Sequence, residues 1–135
     1  MRKVELEQVA PVEIEARSMA IITRELGERT FPQDQLPVIK RVIHTTADFD
    51  YADNLFFSPG AVAQGVAAIQ AGCTIVTDTQ MAWSGVNKRV LEKFGGSARC
   101  FMSDPDVAAE ARERGITRAA VSMERSAGLD GPLIL

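Results

Sequence analysis

The 135-residue chain has little of several residue types, and each shortage excludes something. It has one histidine and two cysteines. Cys73 and Cys100 stand far apart, so neither the residue types nor the spacing of a zinc site can be assembled, and no metal site is expected. Each cysteine lies beside an expected strand and reads as a buried apolar thiol. Aromatics make up 6%, including one Trp and one Tyr, and none interleaves with a basic run. With a net charge of -3, nothing favours a nucleic acid or an anionic membrane surface as partner. No apolar run approaches the roughly 20 residues of a membrane span. Met1 to Glu7 lacks the apolar middle of a signal peptide, so the expected home is the reducing cytoplasm. A Gly-x-Ser-x-Gly elbow is missing, as is a Gly-x-Gly-x-x-Gly turn after a strand, which argues against a serine hydrolase and a dinucleotide-binding domain.

What is present is the composition of a globular domain, 46% hydrophobic and 24% charged, of a length that suits a single domain over 1–135. Ile14 to Leu26 has helical apolar spacing and a stop at Gly27. A second helix is expected over about Pro32 to Ile43, with Val38, Ile39, Val42 and Ile43 as its stripe. Pro37 either interrupts that helix or marks its true start. Asn54 to Phe57 is either a short strand or a connection. Ser58-Pro59 reads as N-cap and first residue of a helix ending at Gly72, with Gly65 suited to close packing.

Cys73 to Asp78 reads as a buried parallel strand, followed by a short helix carrying Met81, Trp83 and Val86. Ala98 to Met102 is a second strand. A helix from Asp104-Pro105 to Gly115 follows it, then one that Thr117 caps, running to about Ser126. Gly131 to Leu135 opens a third strand. Strands alternating with helices predict an α/β fold, a parallel sheet with helices on both faces. Ligands of such sheets bind beyond the carboxyl ends of the strands, where Asp78, Ser103 and Asp104 fall. Because Leu135 ends the chain inside an apolar strand, the domain is expected to be incomplete at its C-terminus. The alternative is a sheet-edge strand closing a small complete domain.

His44 is the first candidate for proton chemistry, because imidazole alone titrates near neutrality. It sits where an apolar helix meets a polar loop, a place that equally suits a histidine stabilising the helix dipole. The surrounding words decide between the two. They are Ala16-Arg17-Ser18-Met19-Ala20-Ile21-Ile22, Val42-Ile43-His44 with Asp48-Phe49, and Phe56-Phe57-Ser58-Pro59. Ala71-Gly72, Ile75-Val76-Thr77-Asp78 with Met81 and Gly85, and Gly115-Ile116-Thr117-Arg118-Ala119-Ala120 complete the set. In this order, over about Ile14 to Leu135, they resemble the precorrin-8X methylmutase (cobalt-precorrin-8 methylmutase) family.

The resemblance implies a flavodoxin-like fold acting as a homodimer on a corrinoid tetrapyrrole. The implied reaction moves a methyl group from C-11 to C-12 without an organic cofactor. It implies that His44 handles the proton and that Arg17, Ser18, Asp78, Met81, Thr117 and Arg118 contribute to the substrate pocket. The family's Gly-Asn-Ala-Pro-Thr-Ala-Leu stretch and its later glycine-rich segment have no counterpart in the sequence. Guanidiniums of Arg17 and Arg118 suit the substrate's carboxylate arms, and the helix starts after Ser58 and after Ser103-Asp104 offer backbone N–H groups to anions. Each residue also has a plainer role: Asp78 a helix cap, Met81 and Trp83 packing, Ser18 an ordinary mid-helix serine, Thr117 an N-cap. Two other functions fit the same words, a tetrapyrrole-binding fragment without turnover and a flavodoxin-like interaction domain.

Overall fold

The computed structural model describes residues 9–135. The reading of Met1 to Glu7 lies outside them. The chain forms two compact units, divided between Val62 and Ala63.

The first unit is helical. Helix α1 runs Pro11–Leu26, α2 Leu36–Thr46 and α3 Tyr51–Asn54. Pro11 suits the first turn of α1, with Glu13 at the positive end of the dipole and Arg24 at the negative end. Ile22 and Leu26 of α1, four apart, meet Ile39 and Ile43 of α2, also four apart, in a closed apolar cluster. Met19, Phe31, Leu36, Phe49, Ala52, Leu55 and Phe57 pack around it. Burying each aliphatic side chain contributes about 1.5–3 kcal/mol. The second helix begins at Leu36, so Pro37 is its start, and it extends beyond Ile43 to Thr46. Pro32 belongs to a preceding turn, in which Gln35 N–H donates to Pro32 O. Leu55 to Phe57 is a connection without regular structure.

Helix α4, Ala61–Gln70, begins later than the Ser58-Pro59 pair suggested. Ser58 O accepts from Ala61 N–H in a turn, and Gly60 takes φ +73. That left-handed residue lies between Pro59 and the helix, so Ser58 is not an N-cap and no helix N-terminus stands beside it. A Cβ on Gly65 would meet nothing within 4 Å, so the close packing expected there is absent among the described residues.

The remainder is an α/β unit. Strand β1 (Thr74–Val76) pairs in parallel with β2 (Ser97–Arg99) on one side and β3 (Leu133–Ile134) on the other, giving the order β2-β1-β3. Ile75 lies opposite both Ala98 and Ile134. Between β1 and β2 come α5 (Gln80–Gly85) and α6 (Lys88–Glu92); between β2 and β3 come α7 (Pro105–Arg114) and α8 (Arg118–Ser126). The two crossovers travel in opposite directions along the sheet. Right-handedness of both therefore places their helices on opposite faces. The order 2-1-3 is that of flavodoxin-like sheets.

Two glycines allow the strands to start side by side. Gly72 (φ +78) would place a Cβ 2.8 Å from Phe94 O, and Gly96 would place one 2.7 Å from Cys73 O and 2.8 Å from Leu91 Cδ1. Cys73, Val76 and Leu91 are buried there, and Val107, Ala111 and Val121 form a second cluster against Phe101.

Several expectations need correction. The second strand covers Ser97–Arg99, so Cys100 to Met102 lies beyond it, and Cys100 is half-buried whereas Cys73 is fully enclosed. The short helix after β1 is two helices, because Asn87 caps a new start by accepting from Val90 N–H. Asp78 does not cap α5; Thr79 does, accepting from Ala82 N–H. Met81 is 84% exposed and so has no packing role among the described residues.

Candidate active site

His44 occupies the last turn of α2. Ile43 beside it is buried in the helical core, which fixes the direction in which the next side chain leaves the helix. Ala47, at φ 56 and ψ 22, then turns the chain in the left-handed region, its N–H donating to Ile43 O at 2.7 Å. Asp48 Oδ1 accepts from Asp50 N–H, and Phe49 folds back onto the core. His44 is thereby held half-buried at the edge of the apolar cluster.

From α1, Ser18 reaches the same point. Its Oγ lies 2.7 Å from His44 Nδ1. The pair borders a hollow of about 180 Å³ lined by Ser18, Ile21, Ile22, Ile43, His44, Ala47 and Phe49. This notch admits a methyl group or one edge of a ring; pockets for whole drug-sized ligands span about 300–1,000 Å³.

One turn back on each helix, Arg41 donates to Glu15 Oε1 at 2.6 Å. Hydrogen bonding and attraction from Arg41 hold the Glu15 carboxyl below its ordinary range, with a smaller contribution from His44. Sequence reasoning passed over this pair. The signal was available: Glu15 and Arg41 each precede a site residue by three positions, which places them on the same helix face.

Arg17, next to Ser18 in the chain, is exposed. The other expected site residues belong to the α/β unit. Asp78 and Met81 follow β1 and are exposed. Thr117 is the N-cap of α8, accepting from Ala120 N–H at 3.1 Å. Arg118 borders a hollow of about 380 Å³ with Ala108, Ala111, Arg112, Gly115 and Ile116. Beyond β2 another hollow, of about 420 Å³, includes Gln80, Trp83, Arg99, Cys100 and Asp104. Asp78, Met81 and Thr117 line neither of these two. Among the described residues, no three His, Cys, Asp or Glu side chains are grouped to hold a metal ion, and no helix is long and apolar enough to cross a membrane.

Known proteins share this arrangement of sequence and fold. The sequence profile of precorrin-8X methylmutase matches residues 13–134. The chain belongs to the precorrin-8X methylmutase family. A cobalt-precorrin-8 methylmutase from Priestia megaterium is 42% identical over 118 residues, covering 87% of this chain and 52% of that protein. One from Salmonella typhimurium strain LT2 is 47% identical over 120 residues, covering 84% and 57%. The crystal structure of the precorrin-8X methylmutase from Thermus thermophilus superposes with a TM-score of 0.73 at 38% identity, over 87% of this chain and 57% of that one. The chain thus spans about half the length of the curated methylmutases it matches.

Proposed function

We propose that this chain acts in corrin-ring synthesis as a methylmutase, moving a methyl group from C-11 to C-12 of precorrin-8X or its cobalt form to give hydrogenobyrinate or cobyrinate. The observation that carries the reading is the Ser18–His44 contact at the mouth of an apolar notch, in a chain of this family. Methyl migration within one molecule asks for orientation, a dry surface against the reacting edge, and a proton that can be lent and recovered. Ile21, Ile22, Ile43 and Phe49 supply the apolar wall.

His44 supplies the proton. As imidazolium it donates from Nε2 to a ring nitrogen, which withdraws electron density from the migrating centre. After the shift the same nitrogen returns the proton to Nε2, so the isomerisation consumes none. Ser18 Oγ serves both states, donating to Nδ1 of the neutral ring and accepting from Nδ1–H of the imidazolium. The methyl group never leaves the substrate, so the reaction as proposed needs no organic cofactor.

Arg17 and Arg118 are the proposed grips for the carboxylate arms, and Asp78, Met81 and Thr117 are proposed substrate contacts on the strength of the family resemblance. A cytoplasmic homodimer is the proposed working form. Incubating the full chain with precorrin-8X and following the visible spectrum tests the reading. Conversion to the product spectrum is expected. A spectral shift without conversion assigns the chain to tetrapyrrole binding alone, and no change at all overturns both.

A further inference from the structure

Among the described residues, the serine and threonine hydroxyls inside helices other than Ser18 donate to a backbone carbonyl of their own helix, Ser126 to the one three residues back. Thr23, Thr45, Thr46, Ser84 and Ser122 each donate to the carbonyl four residues back, the usual resting place for such a group. Ser18 is also inside a helix, yet its only hydrogen-bond partner among the described residues is His44 Nδ1, on another helix and 26 positions away. Toward a bare Nδ1 the Oγ–H donates, and toward Nδ1–H the same oxygen accepts. A neutral imidazole that accepts at Nδ1 carries its hydrogen on Nε2. Nε2 itself has no partner among the described residues, and His44 borders the apolar notch.

We infer that Ser18 is a positioning residue, whose hydroxyl anchors Nδ1 of His44, fixes the neutral ring as the Nε2–H tautomer and leaves Nε2 for the substrate. The inference rests on the reading of His44 as the proton-handling group, and it moves Ser18 from the substrate pocket to the support of that group. The neighbouring Glu15–Arg41 pair bridges the same two helices one turn earlier, so the separation of Ser18 from His44 is fixed at two levels.

Because the chain has a single histidine, every imidazole signal in a 15N-histidine-labelled sample belongs to His44. Nitrogen chemical shifts of the full chain, recorded where the ring is neutral, report its tautomer without any substrate. The expected result is a dominant Nε2–H form in the natural protein. In Ser18→Ala the share of the Nδ1–H form rises about fivefold, the ratio that corresponds to the net contribution of one hydrogen bond. Ser18→Thr, which keeps the hydroxyl, restores the original ratio. Alanine is the better helix former, so Ser18→Ala is expected to keep the circular dichroism of the natural chain. An unchanged tautomer ratio in Ser18→Ala overturns the inference, as does a ratio that Ser18→Thr fails to restore.

Turnover provides the second readout. Loss in kcat with KM within about twofold supports positioning, whereas a rise in KM at constant kcat makes Ser18 a substrate contact. A chain that shows the tautomer shift but converts no precorrin-8X refutes the functional reading and leaves the positioning role standing.

Discussion

Truncating His44 to Ala removes the one side chain in the notch that can exchange a proton near neutral pH, while Ile43 and the cluster beneath it stay in place. Turnover of precorrin-8X is expected to fall by about 100- to 10,000-fold, the range of a lost general acid. The fold should lose about 1 kcal/mol, the net contribution of the Ser18–His44 hydrogen bond. Paired kinetics and thermal unfolding check this; a variant that turns over at the original rate removes His44 from the mechanism. Gly96 offers the opposite case, a residue whose effect is on stability and not on the site. Its missing Cβ would lie 2.7 Å from a backbone oxygen that strand pairing holds in place, since Cys73 O accepts from Ser97 N–H. Gly96→Ala is expected to cost about 1–3 kcal/mol in denaturant unfolding, as overpacking does. An unfolding midpoint equal to that of the natural chain would show that β1 and β2 can separate without penalty.

Between elements, the ends of helices were legible in the sequence where one residue type has one backbone consequence. Gly115 ends α7 in the left-handed region and Thr117 caps α8, whereas Pro37, which the sequence left open between a break and a start, stands in the first turn of α2. Elements that depend on a neighbour were not legible. Gly60 rather than Ser58 sets the start of α4, and Asn87 divides the segment after β1 into two helices. The Ser18–His44 contact joins helices whose approach depends on four aliphatic side chains meeting, which no spacing along the chain encodes. The resemblance named both residues but not their contact.

The outer edge of β2 shows the same dependence. Ser97 and Arg99 bond toward β1, so Ala98 turns its carbonyl outward, and Trp83 Nε1 donates to it at 3.0 Å while Lys88 Nζ lies 3.7 Å from the centroid of the Trp83 ring. Trp83 therefore occupies a position from which another strand could pair.

The α7–α8 hairpin carries a charge network that yields a pH prediction at the same scale. Arg114 bridges Glu110 and Glu124, and Arg125 bridges Asp106 and Glu110. Hydrogen bonds from these guanidiniums hold all three carboxyls below their ordinary values. A depressed folded-state value means that the unfolded chain takes up protons first. The stabilisation is therefore complete above the ordinary carboxylate range and is lost as the pH falls through the lowered values. Asp106, Arg114 and Glu124 face water and Glu110 and Arg125 are half-buried, so added salt should weaken the contribution. Thermal midpoints of the natural chain and Arg114→Ala should differ near pH 7 at low salt and converge both at acid pH and at high salt. A difference that persists unchanged at high salt would mean that Arg114 acts by packing rather than by charge.

At the scale of the molecule, the sheet order places its reversal at β1, with β2 on one side and β3 on the other, and Asp78 follows β1 at that reversal. Parallel sheets bind ligands beyond such a point, which gives Asp78 a positional argument independent of the family resemblance. Arg118 and Arg112 border a separate hollow whose lining includes no carboxylate, so an acidic chain still presents local cations there. If the folded chain binds the corrinoid product and the unfolded chain does not, product at about 100 times its dissociation constant stabilises the fold by about 2.7 kcal/mol. For a chain of this length that is an increase of several degrees in the thermal midpoint. On the proposed mechanism His44→Ala should show nearly the same increase, because there the imidazole serves the reacting edge and other groups hold the ring. An equal rise in both proteins, with turnover only in the natural one, separates holding the ring from rearranging it. A rise confined to the natural chain would make His44 a binding group instead, and no rise in either would leave the proposed pocket without a ligand.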